Sequence, residues 1–419
     1  MPAIFLYLIT LMIAPQLWVP GVVNLPTDYI CFPLLLIAAF MSGNINKMFQ
    51  LRAPDVLLIG WAFWITASAL VNGLPGTSVT QIVFYWKMVV LWKLMTTIIG
   101  TVPRTRTVTT FFCFIVFILA IQAIQQKYSA TGIGWAGQTP GWIDPDAVAK
   151  GDHGRSRWIG IFGGPGVFAV LFSMGIAFPL CQIRPGATRG RQFLAGLITI
   201  IMLWALYCTG SRGGLLAGIA VVGVYVMVRL KVTLRSMLLI GGGLFLVYSI
   251  LPSYITTIRD QSNSTQYRVE MWAAALDMIK GNPVFGVGIT NFKEYSGRLI
   301  GHNSAVEIMA ETGLIGLALW ISLIYSCAKG LATYRATTTD DNDKWYCLAL
   351  LLSLIGYIAS AMFVTLEYET IYLLLGWCAV VGYNSPQTVT FGGKEFANVG
   401  KICVAWVVGL QMFVIVYLR

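Results

Sequence analysis

Residues 192–228 read QFLAGLITIIMLWALYC, then TGSR, then GGLLAGIAVVGVYVMV. Neither long run, 192–208 nor 213–228, holds a charged residue. Only Thr209-Gly210-Ser211-Arg212 separates them. The runs are apolar on every side, not along one stripe or in alternation. They are too long for strands, which leaves two bilayer-crossing helices joined by a tight turn.

The same texture extends outward over the chain. Of its 419 residues, 57% are hydrophobic and 11% charged. Soluble domains carry about 25% charged residues, so a water-soluble enzyme, a disordered chain and a disulfide scaffold are excluded. Further apolar segments fall at 4–23, 27–42, 54–71, 79–100, 107–124, 159–181, 236–252, 304–328, 345–364, 370–384 and 402–418. The expected fold is all-α: a polytopic integral membrane protein with 12–13 transmembrane helices. The first segment lacks a basic flank and an A-x-A site and reads as retained. Pro15 and Pro20 should distort its far end. The eight cysteines lie in or beside apolar runs without a CxxC pair and read as small buried hydrophobes.

A net charge of +11 would suggest nucleic acid in a soluble protein. Here it reads as topology instead, with no nucleic-acid partner. With a cytoplasmic N-terminus, the inside loops hold Lys47, Arg52, Arg104, Arg106, Arg184, Arg189, Arg191, Arg229, Lys231, Arg235, Lys329, Arg335, Lys344, Lys394 and Lys401. The short outside loops 24–26, 72–78 and 365–369 hold no Lys or Arg. That asymmetry is the positive-inside signature. Two outside loops are long, roughly 125–158 and 253–303. They divide the chain into an N-terminal bundle (1–252), a long loop with short helices (253–303) and C-terminal helices (304–419).

Both histidines, His153 and His302, fall in those loops. Four constellations there can carry chemistry. In the 209–214 turn, Gly213 lets the chain turn sharply, Ser211 and Arg212 open a helix, and free N–H groups with an arginine fork suit a phosphate. A hairpin turn with a snorkelling arginine is the alternative. In the second, Tyr267 to Lys280 reads as a short helix, with Val269, Trp272, Leu276 and Ile279 on one face and Arg268 in its first turn. Gly281 and Pro283 stop it. The third is Gly301-His302-Asn303-Ser304 at the mouth of a span, with Asn303, Glu307 and Glu311 at helical spacing. His302 can accept a proton near neutral pH, or simply cap the helix. Glu311 either serves the site or makes a structural pair. The fourth runs from His153 through Arg155 and Arg157 to Trp158. Asp144 and Asp146 just upstream read as an acidic turn more readily than as a cation site. Lys87, inside the fourth span, is a further candidate, though it can snorkel to the interface.

The Ser211-Arg212 turn, the Arg268-to-Trp272 helix, Asn282-Pro283 to Gly288, and His302-Asn303 to Glu311-Thr312-Gly313 occur in this order. Arg157-x-x-Gly160-x-Phe162-x-x-Pro165 precedes them. Together they resemble the O-antigen ligase superfamily, which includes O-antigen polymerases and protein O-oligosaccharyltransferases. The length, and the absence of a soluble C-terminal region, look most like the lipopolysaccharide ligase. The resemblance implies a GT-C-like glycosyltransferase in the inner membrane with twelve spans and a periplasmic site. The implied donor is an undecaprenyl diphosphate-linked glycan, and the implied acceptor a sugar hydroxyl of lipid A-core, within a membrane of lipids. Transfer would be inverting and metal-independent, with no cofactor. It implies catalytic His302, Arg212 and Arg268, with Ser211, Gly213, Arg155, Arg157, Lys87, Asn303 and Glu311 as substrate or diphosphate contacts; His302 would be the base or, alternatively, orient the donor with a glutamate as base. Competing expectations are an O-antigen polymerase and, from another class, a transporter or flippase of lipid-linked sugar.

Overall fold

The computed structural model describes residues 1–74, 76–141, 154–230, 261–297, 300–366, 368–387 and 390–418. Among them the chain is helical, with one isolated bridge, Gly141 to Arg155, and no strand. The helices in chain order are α1 (Pro2–Met12), α2 (Thr27–Met41), α3 (Ile45–Phe49), α4 (Ala53–Val71), α5 (Gly76–Ile99) and α6 (Val102–Tyr128). Then come α7 (Pro165–Gly175), α8 (Ala177–Leu180), α9 (Arg189–Cys208) and α10 (Arg212–Leu230). The rest are α11 (Gln261–Gly281), α12 (Phe292–Tyr295), α13 (Ser304–Thr337), α14 (Asp341–Ala361), α15 (Glu369–Tyr383) and α16 (Gly393–Leu418).

Eight of these, α4, α5, α6, α9, α10, α13, α14 and α16, are long and apolar enough to cross a membrane. The protein is a multi-pass helical membrane protein. Four expected spans appear as shorter apolar helices: α1, α2, the joined α7 and α8, and α15. The expected span 236–252 lies outside the described residues, as do His153, Asp144, Asp146 and part of both long loops. The first helix stops at Met12; Ala14 turns left-handed at φ 53°, and Pro15 opens a 3-10 turn. The prolines therefore shorten this segment as their chemistry requires.

The core is aromatic and aliphatic. Trp61, Trp92, Trp377, Tyr85, Phe112 and Phe168 are fully buried. Small residues let helices close up. Gly330 of α13 meets Gly382 of α15 so closely that a Cβ on Gly382 would lie 3.0 Å from the Gly330 backbone, the small-residue contact of membrane helices. Val404, Met412 and Val416 of α16 point outward, as lipid-facing side chains do.

The bundle has two distinguishable ends. At one, Arg229 shares a cavity with Arg335, Asp341 and Lys344. Arg106 pairs with Asp343 there. At the other, α11 lies against α13 and α16. Trp272 of α11 contacts Phe413 at 5.6 Å between ring centres. The residues before 231 and after 260 thus stand at opposite ends of the bundle. The expected α11 face is real: Val269, Leu276 and Ile279 are buried and Trp272 half-buried. The helix begins at Gln261, earlier than its apolar pattern suggests. Arg268 therefore sits inside the helix rather than in its first turn. The added turns are polar (Gln261-Ser-Asn-Ser), so an apolar-period reading misses them.

Candidate functional site

The 208–214 turn is built by side chains capping backbone. The Thr209 hydroxyl accepts the Ser211 N–H (3.2 Å), and the Ser211 hydroxyl accepts the Gly214 N–H (3.1 Å). Ser211 is thus the N-cap of α10. Among the described residues the N–H groups of Arg212 and Gly213 have no protein acceptor. Donors of this kind, at the positive end of a helix, are what an anion binds. Gly213 also serves packing, since a Cβ there would fall 2.3 Å from Phe363 Cβ.

The 154–158 segment is laid beside this turn. The Ser156 N–H donates to Cys208 O (3.0 Å) and its hydroxyl to Ala123 O (2.7 Å). Arg155 passes across Gly210, where a Cβ would meet its Cγ at 3.0 Å. Gly210 is left-handed at φ 60°, so glycine suits both the turn and the neighbour. Arg157 is occupied otherwise: its guanidinium donates to Thr139 O (2.6 Å), Thr139 Oγ1 (3.0 Å) and Gly163 O (3.3 Å). It staples the loop.

His302 is held from below. Asn303 Oδ1 accepts the Ala305 and Val306 N–H groups (3.1 and 3.2 Å) and caps α13. The cap is therefore Asn303 and not the histidine. His302 has φ 50°, left-handed and costly for a non-glycine residue by about 1–3 kcal/mol. Buried Glu307, one turn into α13, compensates. Its carboxylate accepts the Gly301 and His302 N–H groups and the Thr365 hydroxyl (2.7 Å). Glu311, a turn further on, accepts the Phe292 N–H (3.1 Å). The expected shared face of Asn303, Glu307 and Glu311 exists, and it fastens the loop before α13. On the other side, Trp272 Nε1 donates to Gly301 O (2.9 Å). Arg268 lies one turn before Trp272 and so faces the same way.

The result is a cationic cluster drawn from four places in the chain. Loss of water around Arg268, with the charges of Arg212 and Arg155, pulls its pKa down. Arg155 is lowered by desolvation and by Arg212. His302 is lowered below its ordinary 6.5 by burial and by Arg268. Among the described residues, neither Arg212 nor Arg268 forms an ion pair. Like charges brought together, as Arg212 and Arg268 are, store repulsion that an anion relieves. Lys87 stands apart: it pairs with Asp28 (3.1 Å) and Glu369 (3.6 Å), tying α2, α5 and α15 together.

Two features escaped the sequence reading. The 363–366 connection closes the site: Phe363 packs on Gly213, Ser304 Oγ donates to Val364 O (3.1 Å), and Thr365 reaches Glu307. The second is a joint. At Gly313 (φ 74°, ψ −176°) helix α13 breaks. Segment 283–288 runs beside the break and takes up its backbone groups. Leu314 N–H donates to Pro283 O, Val287 N–H to Ala310 O and Gly288 N–H to Glu311 O, each at 2.9 Å. From α4, Trp64 Nε1 reaches Thr312 O (2.8 Å) and Ser68 Oγ reaches Glu311 O (3.0 Å). A broken helix inside a bilayer must have its polar groups satisfied by protein. The Asn282-to-Gly288 and Glu311-to-Gly313 motifs are thus two halves of one joint. Their glycines were the available signal.

The structure defines a polytopic helical membrane protein with an arginine and histidine cluster at one end of its bundle. Residues 197–321 match the family described as O-antigen ligase. The match spans Arg212, Arg268 and His302, while Arg155 and Arg157 precede it. The match supports activity of the O-antigen ligase or polymerase type in general. No curated protein matches the chain.

Proposed function

We propose that this protein transfers an O-antigen glycan from undecaprenyl diphosphate to a sugar hydroxyl of lipid A-core, at the periplasmic face of the inner membrane. The observation that carries the reading is the convergence of Arg155, Arg212, Arg268 and His302, close enough that the charge of Arg212 bears on Arg155 and Arg268, and that of Arg268 on His302. A leaving lipid diphosphate gains negative charge as its bond to the anomeric carbon breaks. Arg212 and Arg268, with the N–H groups opening α10, stabilise that charge in a water-poor site. Neutral His302 accepts the proton of the acceptor hydroxyl as its oxygen attacks from the opposite face. That order of bond changes inverts the anomeric centre. Glu307 holds the loop that carries His302 through its backbone hydrogen bonds.

In this reading no metal takes part. Orientation follows the positive-inside bias: the Lys- and Arg-rich end faces the cytoplasm.

The test is reconstitution of the purified protein with lipid-linked glycan and lipid A-core, with and without EDTA. Glycosylated lipid A-core, formed equally in EDTA and without an energy source, supports the reading and rejects transport. Strict, reversible Mg²⁺ dependence would overturn the metal-free mechanism. Extension of the lipid-linked glycan in place of transfer to lipid A-core would make the protein a polymerase.

A further inference from the structure

The other end of the bundle carries a small open cavity, lined among others by Lys47, Arg52, Asp55, Lys93, Gly100 and Asn384. Three cations face it and one carboxylate. That carboxylate, Asp55, is buried and already engaged. It accepts the Arg52 N–H and Trp92 Nε1, each at 2.8 Å, and pairs with Lys93 at 3.3 Å. Lys93 is thereby neutralised. The other two cations are not. Arg52 donates to the Tyr383 carbonyl (2.7 Å) and lies 4.5 Å from the centre of its ring, both neutral partners. Lys47 is exposed and makes no ion pair among the described residues. Its ammonium stands over Gly100, 3.7 Å from where a Cβ would lie. Gly100 is left-handed at φ 58° and leaves the cavity floor open. The Asn384 amide, which donates to Gly100 O (3.3 Å), borders the same opening.

We infer that this cavity binds the phosphate of an anionic phospholipid headgroup. The excess positive charge of Lys47 and Arg52 selects a phosphate anion. The flanking residues select its lipid form. Phe49 is 79% exposed and Leu51 58% exposed, on either side of Gln50 at the cavity rim. Apolar side chains standing out beside cations suit a ligand with a charged head and hydrocarbon tails. The cavity joins α3, α4, α5 and α15, so an occupant ties four elements together. The inference is independent of the transfer reaction at the opposite end.

The experiment is thermal unfolding of the full chain in neutral detergent, titrated with phosphatidylglycerol, with phosphatidylethanolamine of the same acyl chains, and with inorganic phosphate. Phosphatidylglycerol should raise the Tm saturably and phosphatidylethanolamine should not. Lys47→Glu, an exposed change, and Arg52→Gln should each weaken the apparent affinity for phosphatidylglycerol about tenfold. Arg189→Glu, exposed and not among the cavity residues, should leave it unchanged. Wild-type affinity in both Lys47→Glu and Arg52→Gln would overturn the site. So would equal weakening by Arg189→Glu, which would reduce the effect to general surface charge. Stabilisation by inorganic phosphate equal to that by phosphatidylglycerol would overturn the lipid assignment in favour of free phosphate.

Discussion

The two ends of the bundle use positive charge differently. At the end rich in Lys and Arg, four of the described cations are answered by carboxylates. Arg106 meets Asp343, Lys93 meets Asp55, Lys329 meets Glu395 and Lys344 meets Asp341. Arg184 meets the Asn342 side chain. At the other end there are fewer cations, yet Arg212 and Arg268 stand together without a carboxylate partner among the described residues. Charge that is paired holds helices; charge left unpaired and partly desolvated is available to a ligand. Net charge therefore points to one end, and the residue-by-residue balance to the other, where the proposed site lies.

This contrast can be broken by experiment. The largest effect should come from removing the unpaired charges. Arg212→Ala and Arg268→Ala should each lower the transfer rate by about 10²–10³, the usual loss of one charge-stabilising group. His302→Ala should do at least as much. Membrane expression should be unchanged, measured by fluorescence of a fused reporter alongside transfer in cells lacking their own ligase. Normal attachment by any of the three would remove it from the site.

Next in size is the joint at Gly313. A Cβ there would lie 2.0 Å from Val284 O, on backbone at φ 74°. Gly313→Ala should cost about 3 kcal/mol or more, combining strain with overpacking. The checking measurement is the yield of monodisperse protein by size exclusion. A wild-type yield and Tm would mean that the break is dispensable.

A moderate effect should appear in pH dependence. His302 is protonated only below its ordinary 6.5, because burial and Arg268 disfavour the charged form. The neutral base is then present at pH 7 and is lost as pH falls through the lowered value. The acid limb of kcat/KM, which reports the free enzyme, should lie below pH 6.5. In Arg268→Gln the residual activity should show that limb moved upward, towards 6.5. Linkage has the same sign: between 6.5 and the lowered value the unfolded chain binds the proton and the folded chain does not. Stability contributed by neutral His302 is therefore complete above 6.5 and falls as pH drops through that window. An acid limb unmoved by Arg268→Gln would separate the two residues.

The smallest effect should come from the paired end. Arg106→Gln removes one partner of a partly exposed pair, worth about 1 kcal/mol or less. Transfer should stay within about twofold of wild type, with a Tm drop of a few degrees or less. A loss as large as that of Arg212→Ala would erase the distinction between the ends.

Much of the fold was legible because bilayer physics writes it into composition. Runs without charge, such as 192–208 and 213–228, admit few structures other than spanning helices, and the two came out as α9 and α10. Glycine and proline stops were legible too: Pro15 ended α1, and α11 stops at Gly281. The candidate site was legible as separate motifs. Ser211-Arg212 and Arg268 read locally as phosphate-ready, and His302 as a proton acceptor. The division of labour among polar residues was not legible. Nothing local distinguishes Arg155, which enters the cluster, from Arg157, which is consumed by Thr139 and Gly163. Nor does helical spacing alone say that Glu307 holds the His302 loop.

By itself, then, the sequence determined a helical membrane chain and the chemical types of its candidate residues, because hydrophobicity, charge and backbone restriction act residue by residue. The tertiary structure decided which of those residues face one another. It joined the Asn282-to-Gly288 segment to the break at Gly313 and laid Arg155 across Gly210. It closed the site with Phe363 and Thr365. The reason is that a side chain's partners come from elements distant along the chain, and pairing, burial and protonation depend on those partners rather than on neighbours in sequence.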